Sequence, residues 1–343
     1  MQEFLNTLYV TTEPSYLHLD HDTVRMEVGG QTQFRMPLLP LGSIVCFGDV
    51  LVSPALLARC AADGRSVALL DSHGRFKARV EGPISGNVLL RAAQHASAAS
   101  EERALPIAQA MVAGKIQNMR QLLLRGARET PNEEEKKRLS AAAESLADGL
   151  RRLESCRDLD TTRGVEGETA RAYFEVFELL VREDREAFRP QGRTRRPPLD
   201  RMNALLSFVY TLLLHDCVGA AEGVGLDPQV GFLHVLRPGR PALGLDLMEE
   251  FRSAVADRLV LALVNRRQLQ RDDFVEREGG AVTLTEKGRK TVLVAYQRRK
   301  QDAVQHRILA KRSPLGLIPH IQARLLARYL RGDLADYPPF VYR

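Results

Sequence analysis

A change in hydrophobic period near residue 86 constrains this chain more than any other feature. Before it, short segments alternate apolar and polar residues: NTLYVTT, SYLHLD, TVRMEVGG, QTQFRMPL, GSIVCFG, SVALLD and FKARVEG, the last two flanking the turn at Ser72–Arg75. A period of two turns one face of a strand to a core and the other to solvent, so each segment reads as a half-buried strand. One helical stretch, SPALLARCAADG, interrupts them and ends at a Gly suited to a cap before a strand opening at Ser66. Beyond Gly86 apolar residues recur every third or fourth position, first at Leu89, Leu90 and Ala93, then through 101–157 with almost no Gly or Pro. The expected architecture is α+β and multidomain: a β-rich domain over 1–86, then a larger helical domain over 87–343.

At 343 residues and 44% hydrophobic composition, two domains can each bury a core without disulfides or a structural metal. The four cysteines (Cys46, Cys60, Cys156, Cys217) are scattered with no CxxC pair, which disfavours a disulfide framework and a zinc ribbon and fits a reducing cytoplasm. The N-terminus lacks a basic leader, and no run approaches the ~20 apolar residues of a membrane helix, so a cytoplasmic, membrane-free protein is expected. No GxxxxGK[ST], no GxGxxG after a strand and no GxSxG elbow occurs, which removes nucleotide and serine hydrolysis.

Within the helical domain, DREAFRPQGRTRRPPLDR (184–201) reads as a loop between helices. A core helix is expected from Arg201 to Cys217 and an apolar helix over about 245–266. Between them lies the Gly- and Pro-rich VGLDPQVGFLHVLRPGRPAL, and FVEREGGAVTLT suggests a hairpin turning at Gly279-Gly280. Three pieces carry candidate chemistry. In GVEGETARAYF, Gly164 and Gly167 bracket Glu166 just ahead of an expected helix; Glu166 or Glu168 could equally serve only the helix dipole. In GFLHV, His234 ends an apolar stretch, where a satisfied buried histidine is the alternative. In LDLMEEFR, Asp246, Glu249 and Glu250 crowd together and would repel unless solvated, protonated or bound to a cation. Oxygen ligands suit Mg²⁺, and an added imidazole suits Mn²⁺, as for a cation acting on phosphate.

The net charge of +6 conceals a division. Residues 287–331 hold twelve Lys/Arg against the single acid Asp302, leaving 37 bases and 42 acids elsewhere. Such a basic helical surface would bind nucleic acid through phosphates, independently of sequence and sensitively to salt. Arg298, Arg299, Lys300, Lys311 and Arg312 are the candidate contacts, and the loop with Arg193, Arg195 and Arg196 could extend them.

At these same pieces the sequence resembles the CRISPR-associated endonuclease/integrase that captures new spacers, and more narrowly its type I-C branch. The likeness spans essentially the whole chain: LNTLYVTTEPSYLHLD, MPLLPLGSIVCFG, GVEGETARAYF, PPLDRMNALLSFVYTLL, GLDPQVGFLH and LDLMEEFR. It implies an N-terminal β-sandwich that serves dimerisation and partner contacts, and an all-α catalytic domain. It also implies a homodimer that assembles with a small partner subunit and inserts short DNA into an array. Carried over by motif, the metal-binding and catalytic residues are Glu166, His234 and Glu249, the last an Asp in many relatives. Helical spacing alone would allow Glu250 or Asp246 in the third place; only the resemblance selects Glu249, with Asp246 as an auxiliary acid. Asn203 and Tyr210 match the NALLSFVY helix, where Tyr210 is either near DNA or the cation, or part of the core. Two rival functions are a branched-DNA repair nuclease without integration and a non-catalytic DNA-binding scaffold.

Overall fold

The computed structural model describes residues 6–72, 76–80, 82, 88–190, 192–194, 197–309 and 311–342. They fall into two compact units, Met1–Ser85 with Leu284–Gln301, and Gly86–Thr283 with Asp302–Arg343. The change of period expected at Gly86 lies outside the described residues.

The first unit holds β1 (Asn6–Val10), β2 (Ser15–Asp20), β3 (Thr23–Val28), β4 (Gln31–Pro37), β5 (Leu41–Phe47), β6 (Val50–Val52), α1 (Pro54–Ala62), β7 (Ser66–Leu70) and β8 (Phe76–Val80). Two four-stranded sheets result, in the orders β1-β5-β7-β8 and β4-β3-β2-β6. One core joins them, with Val10, Ile44, Cys46 and Val67 from the first sheet, Leu17 and Val24 from the second, and Leu56 and Cys60 from α1. These are the apolar phases of the alternating segments. Ser53 caps α1 by accepting from Leu56 N at 3.2 Å, and Gly64, at φ +69°, turns the chain into β7.

A later helix, Glu286–Gln301, belongs to this unit and corrects the expected boundary, since the helical domain is not one continuous stretch from 87 to 343. Its buried side carries Val292, Leu293 and Tyr296. Periodicity identifies which side of a helix is covered; it does not say what covers it.

The second unit begins with α2 (Val88–Ala98), then α3 (Glu101–Glu129) and α4 (Glu133–Ser155), two long helices forming a hairpin. Asn132 caps α4 by accepting from Glu134 N at 2.9 Å and Glu135 N at 3.2 Å, and three glutamates favour its first turn through the helix dipole. Next come α5 (Leu159–Glu175), α6 (Arg185–Phe188) and α7 (Arg201–Gly223). At Gly149 of α4 a Cβ would sit 2.3 Å from Thr169 Cγ2, so glycine is what lets α4 and α5 approach. Contrary to expectation, α7 is long and apolar enough to cross a membrane, with a mean hydropathy of 1.6, but 67% of that window is buried inside the protein. Its length serves a core rather than a bilayer, with Met202, Leu205, Val209 and Cys217 fully covered.

The single helix expected over 245–266 is broken. α8 (Ala242–Glu249) gives way to a π-helical stretch, Arg252–Asp257, before α9 (Arg258–Asn265). Such widened turns are frequent at functional sites, and this one lies directly after the acidic cluster. The chain closes with the hairpin β9 (Phe274–Glu276) and β10 (Val282–Leu284), the helix Glu286–Gln301 as α10, the hairpin β11 (Ala303–His306) and β12 (Lys311–Pro314), and α11 (Ile318–Leu330). The first hairpin turns at Gly279 and Gly280, both at positive φ, as the sequence indicated. The two hairpins mean that the helical domain is not strictly all-α.

Candidate active site

Glu166 does not precede a helix; it lies inside α5. Asp158 caps that helix by accepting from Thr161 N at 2.7 Å, and the helix runs on through Gly164 and Gly167. Tertiary contacts offset the roughly 1 kcal/mol that each helical glycine costs. The same helix separates the two glutamates, because Glu168 is exposed and pairs with Arg152 at 2.9 Å while Glu166 turns inward to Lys115 of α3.

The three acids of LDLMEEFR divide cleanly. Asp246 is fully buried and closes the irregular GFLH segment: its carboxylate accepts from Phe232 N at 2.6 Å and from Leu233 N and His234 N at 3.0 Å. It also lies 2.6 Å from His234 Nδ1. A carboxylate only accepts here, so Nδ1 carries a proton, and in the neutral ring Nε2 is then the nitrogen with the lone pair. Glu250 faces the opposite way, accepting from Tyr337 OH and Phe340 N at 2.6 Å and from Gln322 Nε2 at 2.9 Å. Burial pushes its carboxyl up to about 8 against those hydrogen bonds.

Glu249 alone of the three turns toward Glu166. Its Oε1 is 2.9 Å from Arg252 and 4.0 Å from His234 Nε2, and its Oε2 is 2.6 Å from Lys115 Nζ. Burial alone would raise its carboxyl, but the charges of Arg252 and Lys115 hold it down at about 2. Lys115 thus stands between Glu166 and Glu249.

These groups line a cavity of about 140 Å³, together with Tyr173, Phe174, Tyr210 and Asp257. Tyr210 OH and Tyr173 OH donate to the two oxygens of Asp257 at 2.6 and 2.8 Å. Burial raises the Asp257 carboxyl and carries both phenols well above their ordinary range. Tyr210 is therefore both a core tyrosine and part of the cavity wall, with Arg252 5.0 Å and Arg193 5.5 Å from its ring centre. Arg193 donates to Asn203 Oδ1 at 2.6 Å, and Asn203 Nδ2 donates to Gly192 O at 2.8 Å, which fastens this loop to the start of α7.

Gly231 fixes the approach of GFLH to α8. A Cβ there would lie 2.5 Å from Asp246 Oδ2 and 2.7 Å from the Ala242 carbonyl carbon. Gly231→Ala is expected to cost about 1–3 kcal/mol by overpacking. Urea unfolding checks this: the midpoint should fall with an unchanged slope, and an unshifted midpoint would show that the segment yields.

The basic candidates are divided between the two units, α10 belonging to the first and α11 to the second. On α10, Lys287, Lys290 and Arg298 are exposed, while Arg299 is half-buried. Lys300 is a correction to the expected exposed contact: it is buried, with Nζ 3.4 Å from Thr7 Oγ1 and 5.9 Å from the Tyr296 ring centre. It continues the buried stripe of Gly288, Val292 and Tyr296 at helical spacing, which turns it inward. Arg312 is exposed. The Lys311 side chain, Arg195 and Arg196 lie outside the described residues.

The sequence reading missed Lys115, Arg252, Tyr173 and Asp257. Lys115 had a signal, since it falls on the apolar face of α3 with Met111, Ile116 and Met119, where a lysine needs a buried partner. For Arg252 and Asp257 no period served, because the π-helical stretch shifts their phase.

Comparison with known proteins identifies the family. The profile of the family described as CRISPR associated protein Cas1 matches residues 8–298. A CRISPR-associated endonuclease Cas1 from Moorella thermoacetica is 58% identical over 343 residues, covering 100% of both chains. A Cas1 protein from Thermotoga maritima has the same fold at TM-score 0.82 and 24% identity, over 95% of this chain and 97% of that one. So does a casposase bound to integration product, at TM-score 0.83 and 22% identity over 98% and 94% of the two chains. Full-length identity of this order, on top of the profile match, shows that the chain belongs to the Cas1 family of CRISPR-associated proteins.

Proposed function

We propose that this protein is a divalent-cation-dependent DNA endonuclease and integrase, which inserts short DNA fragments into a CRISPR array by phosphodiester transesterification and also nicks or cleaves DNA. One observation carries the reading: two carboxylates from different helices and an imidazole held at Nδ1 by Asp246 converge on one cavity.

The donor set suits Mg²⁺ or Mn²⁺, with Glu166, Glu249 and His234 as its holders. Asp246 fixes the His234 tautomer and ring orientation, the usual support of a metal-binding histidine. Among the described residues no three such groups already stand as a metal cluster; the ammonium of Lys115 lies between the two carboxylates, which supports a site built for positive charge. When bound, the cation would polarise a phosphodiester oxygen and stabilise charge in the transition state. Arg252 adds a fixed positive charge beside Glu249, and its stack on Tyr210 holds it there before substrate arrives. The attacking group is a DNA 3′-OH in integration and water in cleavage. The family resemblance supports a homodimer working with a small partner subunit, and duplex or branched DNA as substrate.

Product analysis tests this reading. With a labelled donor, an array-bearing plasmid and Mn²⁺, a covalent donor–target joint is expected, and a chelator should abolish it. Nicks without a joint would mean a repair nuclease, and binding that never cuts would mean a scaffold. For the basic surface, Lys287, Lys290 and Arg298 changed together to Ala should reduce the slope of log affinity against log salt by about 0.9 per lost phosphate contact. An unchanged slope would exclude this face of α10 from DNA binding.

A further inference from the structure

The geometry points to Lys115 as a built-in counter-cation of the active site, which holds Glu166 and Glu249 together before a divalent ion enters and competes with that ion for the same two carboxylates. The inference rests on the cation reading above and goes beyond it by assigning a role to a residue outside the ligand set.

Lys115 sits in the middle of α3, is 7% exposed, and has an ion pair to each carboxylate: Glu166 Oε1 on α5 and, at 2.6 Å, Glu249 Oε2 on α8. Three elements thus meet at one ammonium. Two acids lining one cavity would repel unless a positive charge separates them, and here the protein supplies it. The ion-paired cluster of Glu166, Asp246 and Glu249 against Lys115 and Arg252 carries one net negative charge. A divalent ion entering with Lys115 still present reverses that to one positive, which a phosphodiester then neutralises. Lys115 therefore sets the balance so that the cation is held firmly only with the DNA backbone beside it. The ammonium and the ion cannot share the space between the two carboxylates, so Lys115 must leave it when the ion enters, as its flexible stem permits. Sequence gives the same hint, since a lysine inside the Met111, Ile116 and Met119 face of a helix is costly without such a duty.

Mn²⁺ binding without DNA reads this directly, by titration calorimetry and by loss of the free-ion paramagnetic signal. Lys115→Met and the polar Lys115→Gln, which keeps an uncharged N–H donor on this face should Met impair folding, are expected to bind Mn²⁺ at least about tenfold more tightly than wild type, because the competing charge is gone. In chelator their thermal midpoints should fall by several degrees, and Mn²⁺ should restore more of the midpoint than it adds to wild type. Lys115→Arg should stay near wild type in affinity. Equal or weaker Mn²⁺ affinity in both the Met and Gln variants, with wild-type binding still lost in Glu166→Gln, overturns the role of Lys115 and leaves the cation site standing. Wild-type binding that ignores Glu166→Gln overturns the cation site itself and the inference with it.

Discussion

Glu166→Gln is expected to reduce cleavage and strand transfer roughly 10³-fold or more while leaving the thermal midpoint within about 2 °C of wild type. The separation follows from where the residue sits. Its side chain is 26% exposed and its ion-pair partner, Lys115, keeps a second carboxylate in Glu249, so the change leaves no buried charge alone. A partly exposed pair contributes about 0–1 kcal/mol, whereas a lost cation ligand removes charge stabilisation at the reacting phosphate. Glu249→Gln should differ. Glu249 is buried between Lys115 and Arg252, and its loss takes the paired acid from the buried Arg252 and leaves Lys115 with the partly exposed Glu166, so destabilisation of about 3–5 kcal/mol accompanies the loss of activity. His234→Ala should resemble Glu166→Gln, because Asp246 retains three backbone donors. Nicking and strand-transfer rates beside melting curves for the three variants check the pattern. Wild-type rates in all of them would remove these residues from the chemistry.

Glu250→Ala is expected to be the most damaging change outside the cavity, at about 3 kcal/mol or more, with Glu250→Gln far milder. The carboxylate gathers Tyr337 OH, Phe340 N and Gln322 Nε2, and beside it Asn118 Nδ2 donates to Phe340 O at 2.9 Å and to Glu250 O at 2.8 Å. The C-terminal segment is thereby fastened to α3 and to the end of α8, one residue from Glu249. Burial raises the Glu250 carboxyl to about 8 from its ordinary 4.5. Between those values the folded chain retains a proton that the unfolded chain has released. The stabilisation is complete below about pH 4.5 and is lost as pH rises through about 8, on the order of 5 kcal/mol in all. Glu250→Gln does not titrate, so its stability relative to wild type should improve steadily from pH 5 to pH 8. Parallel stability curves for the two proteins would contradict the raised value.

Much of this was readable before any coordinates. The alternating segments of the first 86 residues become strands almost as written, because half-buried strands advertise their period; β6, only Val50–Val52, is too short to show one. The family was legible in the spaced motifs. What escaped has physical reasons. Glycines at 164 and 167 suggest a break, yet α5 passes through them since packing on α4 outweighs their cost. Helical spacing could not choose among Asp246, Glu249 and Glu250; three contacts from distant segments do so, the GFLH amides, the Lys115–Arg252 pair and the C-terminal tail. The twelve bases of 287–331 form one run in sequence but are divided between the two units, because α10 buries its apolar stripe in the β-rich unit. Lys300 faces inward for the same reason.

The central claim is that Glu166, His234 and Glu249 form one cation site, and a crystal structure with Mn²⁺, located by its anomalous signal, tests it most directly. The predicted result is a single peak bounded by a Glu166 oxygen, a Glu249 oxygen and His234 Nε2, each at about 2.0–2.2 Å, with the Lys115 ammonium moved off the carboxylate pair. A peak elsewhere, or none at saturating Mn²⁺ with Lys115 still between the two glutamates, would contradict it.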